Sequence, residues 1–102
     1  MYKLFITELA EQDLEGIVCY IVSNLGNPDA ASSFLDEVEK TYAYLKKNPY
    51  FYSKSYDSRL EREGYRKALI KNYILIFKVD EEQKIVTVYR FFYGARDYFK
   101  LI

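Results

Sequence analysis

The side chains best equipped for chemistry sit close together near the C-terminal end: Arg66, Lys67, Lys71, Arg90, Tyr93 and Arg96. They fall in the run YRKALIKNYILIFKVDEEQKIVTVYRFFYGARDY, residues 65–98. Cations and a phenol on strands that are otherwise apolar are suited to meeting an anion, whether a phosphate or an acidic protein surface. Asp97 follows Arg96 and supplies a carboxylate beside it.

The elements that must hold these groups are strands. Residues 65–71 and 73–79 are rich in apolar and β-branched residues and are parted by Asn72, a tight-turn residue. The polar turn 80–84 leads to a third strand over 85–93. Strict alternation there would put Val86, Val88, Arg90 and Phe92 on one face. Ile85, Thr87, Tyr89, Phe91 and Tyr93 would take the other. Arg90 then lies among apolar neighbours and needs an internal partner, for which Asp97 or a loop carboxylate would serve. Arg96 lies past Gly94 in an exposed tail.

The first half of the chain is helical by pattern. Residues 2–6 (YKLFI) alternate as a short strand. Thr7 is a good N-cap, with Glu8 and Glu11 in the first turn where the helix dipole favours negative charge. Leu14, Ile17, Val18, Ile21 and Leu25 follow as one stripe, and Gly26 stops the helix. Asn27-Pro28 starts a second helix, whose stripe is Ala31, Phe34, Leu35, Val38, Tyr42 and Leu45 and which closes at Lys46-Lys47-Asn48-Pro49. So short a connection makes an antiparallel helical hairpin. Residues 50–64 are the least regular stretch, with Tyr50, Phe51, Tyr52 and Tyr56 expected to tack it onto the body. Stacking on nucleic-acid bases is the alternative use of that cluster. The expected fold is α+β in a single domain over 1–102: a strand, a two-helix hairpin, then a three-stranded antiparallel meander packed on the helices.

Composition narrows the function. A chain of 102 residues, half apolar and 29% charged, is globular. Net charge is zero, but residues 1–49 carry four basic and eight acidic side chains while 50–102 carry eleven and seven. The cationic half is the one with the candidate site. There is no histidine and only one cysteine, Cys19. That removes the usual general base, any Ser-His or Cys-His pairing, and a zinc cluster. No glycine-rich nucleotide loop occurs, so neither a cofactor nor a metal is expected. No apolar run approaches the roughly 20 residues that cross a bilayer, and the acidic N-terminus does not read as a signal peptide. A lone cysteine points to a reducing cytoplasm.

The residues carry a resemblance. The order strand, two helices, meander, with NPDAASSFLDEVEKTYAYLKKNP, NYILIFKVD and the closing YRFFYGARD, resembles the RelE/ParE family of toxins from type II toxin–antitoxin systems. The similarity covers nearly the whole chain. It implies a bacterial or archaeal cytoplasmic toxin, neutralised by a small cognate antitoxin that lies across the sheet and the groove beside the helices. Contact with operator DNA would be indirect, through the antitoxin. Poor solubility of the isolated chain is also expected, because the antitoxin's apolar groove is left open.

Two mechanisms live on that fold. RelE-like members are ribosome-dependent mRNA endoribonucleases that neutralise the scissile phosphate with basic sheet residues. ParE-like members poison DNA gyrase by protein–protein contact. By the resemblance Arg66, Lys67, Tyr93 and Arg96 would be catalytic in a nuclease, whereas Lys71, Arg90, Arg96 and Asp97 would bind a protein target. The strand arginine of the nucleases falls at Ile74, and the histidine that some carry in the last strand falls at Phe92. Removing one charge-stabilising donor typically costs roughly 2.7–4 kcal/mol of barrier. The balance therefore favours the ParE-like reading, with the nuclease as alternative and an inactive antitoxin-binding member as the third.

Overall fold

The protein is described here from a computed structural model, which describes residues 1–52 and 58–94. Strand β1 (Lys3–Ile6) leads into helix α1 (Glu8–Cys19), which continues as a π-helical turn, Tyr20–Asn24. Helix α2 spans Pro28–Lys47, followed by a 3-10 turn over Pro49–Phe51 and a short helix α3, Ser58–Arg62. Strands β2 (Arg66–Ile70), β3 (Tyr73–Asp80) and β4 (Ile85–Tyr93) complete the chain. The α+β architecture matches the expectation from sequence, and both predicted caps form. Thr7 Oγ1 accepts from the Ala10 N–H at 3.1 Å, and Asn27 Oδ1 accepts from the Ala30 N–H at 3.1 Å.

The sheet order is β1-β4-β3-β2. The meander β2-β3-β4 is antiparallel, and β1 adds to the outer side of β4 in parallel, with Leu4 opposite Val86 and Ile6 opposite Val88. Helices α1 and α2 cover one face. There Phe34, Val38 and Leu45 of α2 meet Leu75, Phe77, Val86, Val88 and Phe91 in a continuous core. The opposite face carries a second, smaller core in which Leu60 of α3 packs on Ile74, Ile76 and Phe92. So the described parts of 50–64 carry a 3-10 turn and a short helix that their pattern does not predict. Tyr52 packs edge-on against Phe77 at 6.0 Å, Phe51 stands 75% exposed, and Tyr56 lies outside the described residues.

Strict alternation in β4 does not hold. Phe77 pairs with Val88 but Ile76 pairs with Arg90, so Tyr89 is an extra residue, a β-bulge. One inserted residue flips every side chain beyond it to the other face. Phe91, not Phe92, therefore joins Val86 and Val88 in the main core, while Phe92 pairs with Ile74 in the small one.

The Tyr42 hydroxyl is buried and has no hydrogen-bond partner among the described residues. Burial pushes its pKa up to about 12, with Glu39 and Glu11 adding to the effect. An unmatched buried hydroxyl costs about 1–3 kcal/mol. Tyr42→Phe is expected to raise stability by about 1 kcal/mol in urea unfolding. The pKa is raised in the folded state, so the native protein loses stability as pH climbs from 10 towards 12. Tyr42→Phe should remove that part of the alkaline loss, and a phenylalanine variant less stable than the native chain would refute the account.

Candidate functional site

The Asp13 carboxylate of α1 organises the end of the sheet where the candidate residues lie. Arg90 donates to it through Nε at 2.7 Å and Nη2 at 3.1 Å, and the Phe91 N–H donates to the same Oδ2 at 3.0 Å. β1 ends at Ile6, opposite Val88, and beyond that point α1 takes over the free edge of β4. The Thr7 N–H donates to the Val88 carbonyl at 3.1 Å, and Thr7 Oγ1 donates to the Tyr89 carbonyl at 2.9 Å. Arg90 thus finds its partner on the first helix, whereas the expected partner Asp97 lies outside the described residues. The hydrogen bond it donates to Asp13 raises the Arg90 pKa above its ordinary value, and the guanidinium also lies 4.7 Å over the Phe92 ring.

Arg66 and Lys67 are neighbours on β2 and so point to opposite faces. Arg66, opposite Phe77, lies on the helix side. It donates to the Tyr52 carbonyl at 2.9 Å and sits 4.9 Å over the Tyr50 ring. Lys67 pairs with Ile76 on the α3 side. Tyr93 pairs with Tyr73 at the other end of the sheet, their rings 5.6 Å apart. Four residue steps along β3, from Phe77 to Tyr73, separate the level of Arg66 from that of Tyr93, about 13 Å at the usual strand rise. Arg66, Lys67 and Tyr93 are not brought to one point. Arg96 and Asp97 lie outside the described residues.

Lys71 occupies the first position of the two-residue β2–β3 turn with φ +54°, a left-handed conformation that favours glycine or asparagine. Its Nζ donates to Ser33 Oγ of α2 at 3.1 Å, which pins the turn to the helical layer. Gly94 donates to the Asn72 carbonyl at 2.8 Å, and a Cβ there would come within 3.1 Å of the same oxygen.

Lys71, Tyr73 and Tyr93 form one wall of a groove of about 830 Å³ whose other wall is α1 and the π-helical turn, from Gln12 to Leu25, with Phe34 and Phe91 also lining it. Tyr20, Leu25 and Tyr93 are about half exposed along it. This groove brings together Lys71 and Tyr93 from the sequence candidates, and it adds Gly16, Ile17 and Tyr20, which sequence reasoning missed as site residues. A glycine in the middle of α1 was the available signal.

A second polar cluster lies at the far end of the sheet. Glu81 accepts from the Tyr2 hydroxyl at 2.6 Å and the Tyr50 hydroxyl at 2.9 Å, and pairs with Lys84. These hydrogen bonds, with Lys84 the strongest, hold its carboxyl at about 2. It clamps the β3–β4 turn to Tyr2, just before β1, and to the 3-10 turn after α2. Among the described residues no group of acidic, cysteine or histidine side chains could hold a metal ion, and no helix is long and apolar enough to cross a membrane.

The family model of the ParE toxin of type II toxin–antitoxin systems matches residues 4–98. The chain belongs to that family. No curated protein sequence matches it. Among solved structures it is similar to the chromosomal ParDE toxin–antitoxin system of P. aeruginosa, with 20% identity and TM-score 0.70 over 91% of this chain and 96% of that one. The RelBE2 toxin–antitoxin complex of Mycobacterium tuberculosis is similar at 22% identity and TM-score 0.64, covering 90% and 96%. The archaeal RelE–RelB complex of Pyrococcus horikoshii follows at 12% and 0.60, covering 93% and 97%. At these identities the likeness is one of fold.

The Asp13 cluster makes a testable statement about stability. Hydrogen bonds to a charged group contribute about 1.5–3 kcal/mol. Arg90→Ala is expected to cost about 2 kcal/mol, and Asp13→Ala more, because it also leaves the Phe91 N–H without its acceptor. The double variant should cost clearly less than the two losses added. Additive losses in urea unfolding would show that the two side chains do not act together.

Proposed function

We propose that this chain is a ParE-like toxin that acts in the cytoplasm by protein–protein contact with DNA gyrase, and that a small cognate antitoxin binds and silences it. The observation that carries the reading is the cross-strand pair Ile74–Phe92. These are the positions where the resemblance would place a nuclease's arginine and histidine. They are 6% and 3% exposed, and the fully buried Leu60 of α3 packs on them. A scissile phosphate needs preorganised donors at the point where charge develops. Here that point is an apolar seal.

The spread of Arg66, Lys67 and Tyr93 over two faces and about 13 Å of strand supports the same choice. Lys71 at the turn is then a contact for the target, as are Arg96 and Asp97 of the tail. Arg90 contributes through its hold on Asp13 and Phe91 at the groove's edge. The antitoxin partner is proposed because the similar P. aeruginosa, M. tuberculosis and P. horikoshii structures are of toxin–antitoxin systems.

One observation favours the nuclease as the second reading. Lys78 lies 4.3 Å over the Tyr65 ring and 6.0 Å from that of Tyr89, a cation among aromatics of the kind that stacks on bases. The expected outcome discriminates. On inducing the chain alone, thymidine incorporation falls before methionine incorporation, and Tyr93→Phe remains toxic. An earlier fall in protein synthesis, abolished by Tyr93→Phe or Arg66→Ala, would establish the nuclease instead. Unchanged incorporation of both labels, with the chain soluble, would leave an antitoxin-binding member without toxicity.

A further inference from the structure

We propose that the β1 edge pairs with the β1 edge of a second copy of this chain, antiparallel about a two-fold axis at Phe5, so that the two sheets join into one. That edge takes no part in the groove or the candidate cations, and the pairing stands apart from the toxin reading.

The sheet order leaves β1 with β4 on one side and no strand on the other. The Lys3 N–H donates inward to the Lys84 carbonyl at 2.8 Å, and the Thr7 N–H to the Val88 carbonyl at 3.1 Å. With a period of two residues, the N–H groups of Tyr2, Leu4 and Ile6 point outward. The Tyr2 N–H reaches the Lys46 carbonyl at the end of α2 at 2.9 Å, which closes the edge there. Among the described residues Leu4 and Ile6 have no such acceptor. Natural edges are commonly blunted by a proline or a bulge. Lys3–Ile6 contains no proline, and its pairing with β4 runs without a register shift.

A two-fold interface must be complementary to itself, and this edge is so in one register. Residues that face each other in a continuous sheet point to the same side, and those with outward donors must meet. A register centred on Leu4 would set Ile6 against Tyr2, whose N–H is held by Lys46. One centred on Ile6 would run Leu4 against Glu8, which is already in α1. Centred on Phe5, the strands set Leu4 opposite Ile6 of the second copy, and each such pair exchanges two backbone hydrogen bonds. Phe5 is 60% exposed, on the face away from α1 and α2. At the axis it meets its own counterpart in a non-hydrogen-bonded pair, where side chains approach most closely and aromatic pairs support a sheet. Lys3 comes level with Thr7 of the second copy, next to Glu8, so opposite charges meet at both ends of the seam. Exposed Met1 arrives at the first turn of the other α1, where Leu9 is exposed.

Sedimentation equilibrium of the full-length chain, with oxidative cross-linking, tests the pairing. The native chain should sediment as a dimer, and Phe5→Glu should weaken that dimer by about tenfold or more. Circular dichroism of Phe5→Glu should match the native chain, because Phe5 is exposed. In a Cys19→Ser background, Phe5→Cys should give a disulfide-linked dimer. Opposite Cα atoms in a non-hydrogen-bonded pair are about 4.5 Å apart, within the span of a disulfide. Lys3→Cys, which faces Thr7 and not itself, should not cross-link. A native chain that stays monomeric at about 100 μM would overturn the proposal. So would a dimer that Phe5→Glu leaves intact, or one that Lys3→Cys links as readily as Phe5→Cys. A chain that is monomeric alone, yet loses a co-expressed partner on Phe5→Glu, would assign the edge to another protein's strand and overturn it too. The toxin reading survives each of these results, since its incorporation test does not involve β1.

Discussion

A single carboxylate holds the two halves of this molecule in register. Asp13 receives two donors from Arg90 and one from the Phe91 backbone, and with Thr7 it continues the pairing of β4 where β1 has ended. An unpaired edge would expose backbone donors and invite other chains. Here a helix serves that edge. The pair is only partly buried, and opposite charge alone would contribute little after desolvation. Its importance lies in the shared acceptor, which ties side chain, backbone and helix at one place.

That link makes the bulge at Tyr89 tolerable and useful. The extra residue turns the end of β4, placing Phe91 in the main core and Phe92 on the opposite face. The sheet then has two apolar faces, one under α1 and α2 and one under α3. The first continues into an open groove, and the second is sealed by Leu60 over Ile74 and Phe92. A protein partner can use the open face. Phosphate chemistry at that seal would need polar groups in place of Ile74 and Phe92.

Fold does not by itself assign activity. One fold can carry unrelated activities, so side chains at particular strand positions decide the chemistry. In this chain three cations of the sheet and its turn are engaged within the fold. Arg90 is held by Asp13, Arg66 by the Tyr52 carbonyl and the Tyr50 ring, and Lys71 by Ser33. Cations engaged in this way stiffen the frame and shape its surface.

By itself the sequence determined the local elements, because their signals lie within a few residues of one another. Thr7 and Asn27 cap the helices they were expected to cap, Gly26 and Asn48 bound them, and Asn72 falls in the turn of the hairpin. Family and fold were legible too, since they rest on the order of those elements and on a few motifs. Tertiary structure alone decided the parallel pairing of β1 with β4 and the role of Asp13. Each joins residues more than seventy positions apart, and no local pattern encodes such a contact. It also decided the parity of β4. Alternation reads through a bulge as if it were absent, so Phe91 and Phe92 exchange faces only when β3 is laid beside them. The groove arises between elements, and for that reason the sequence does not display it.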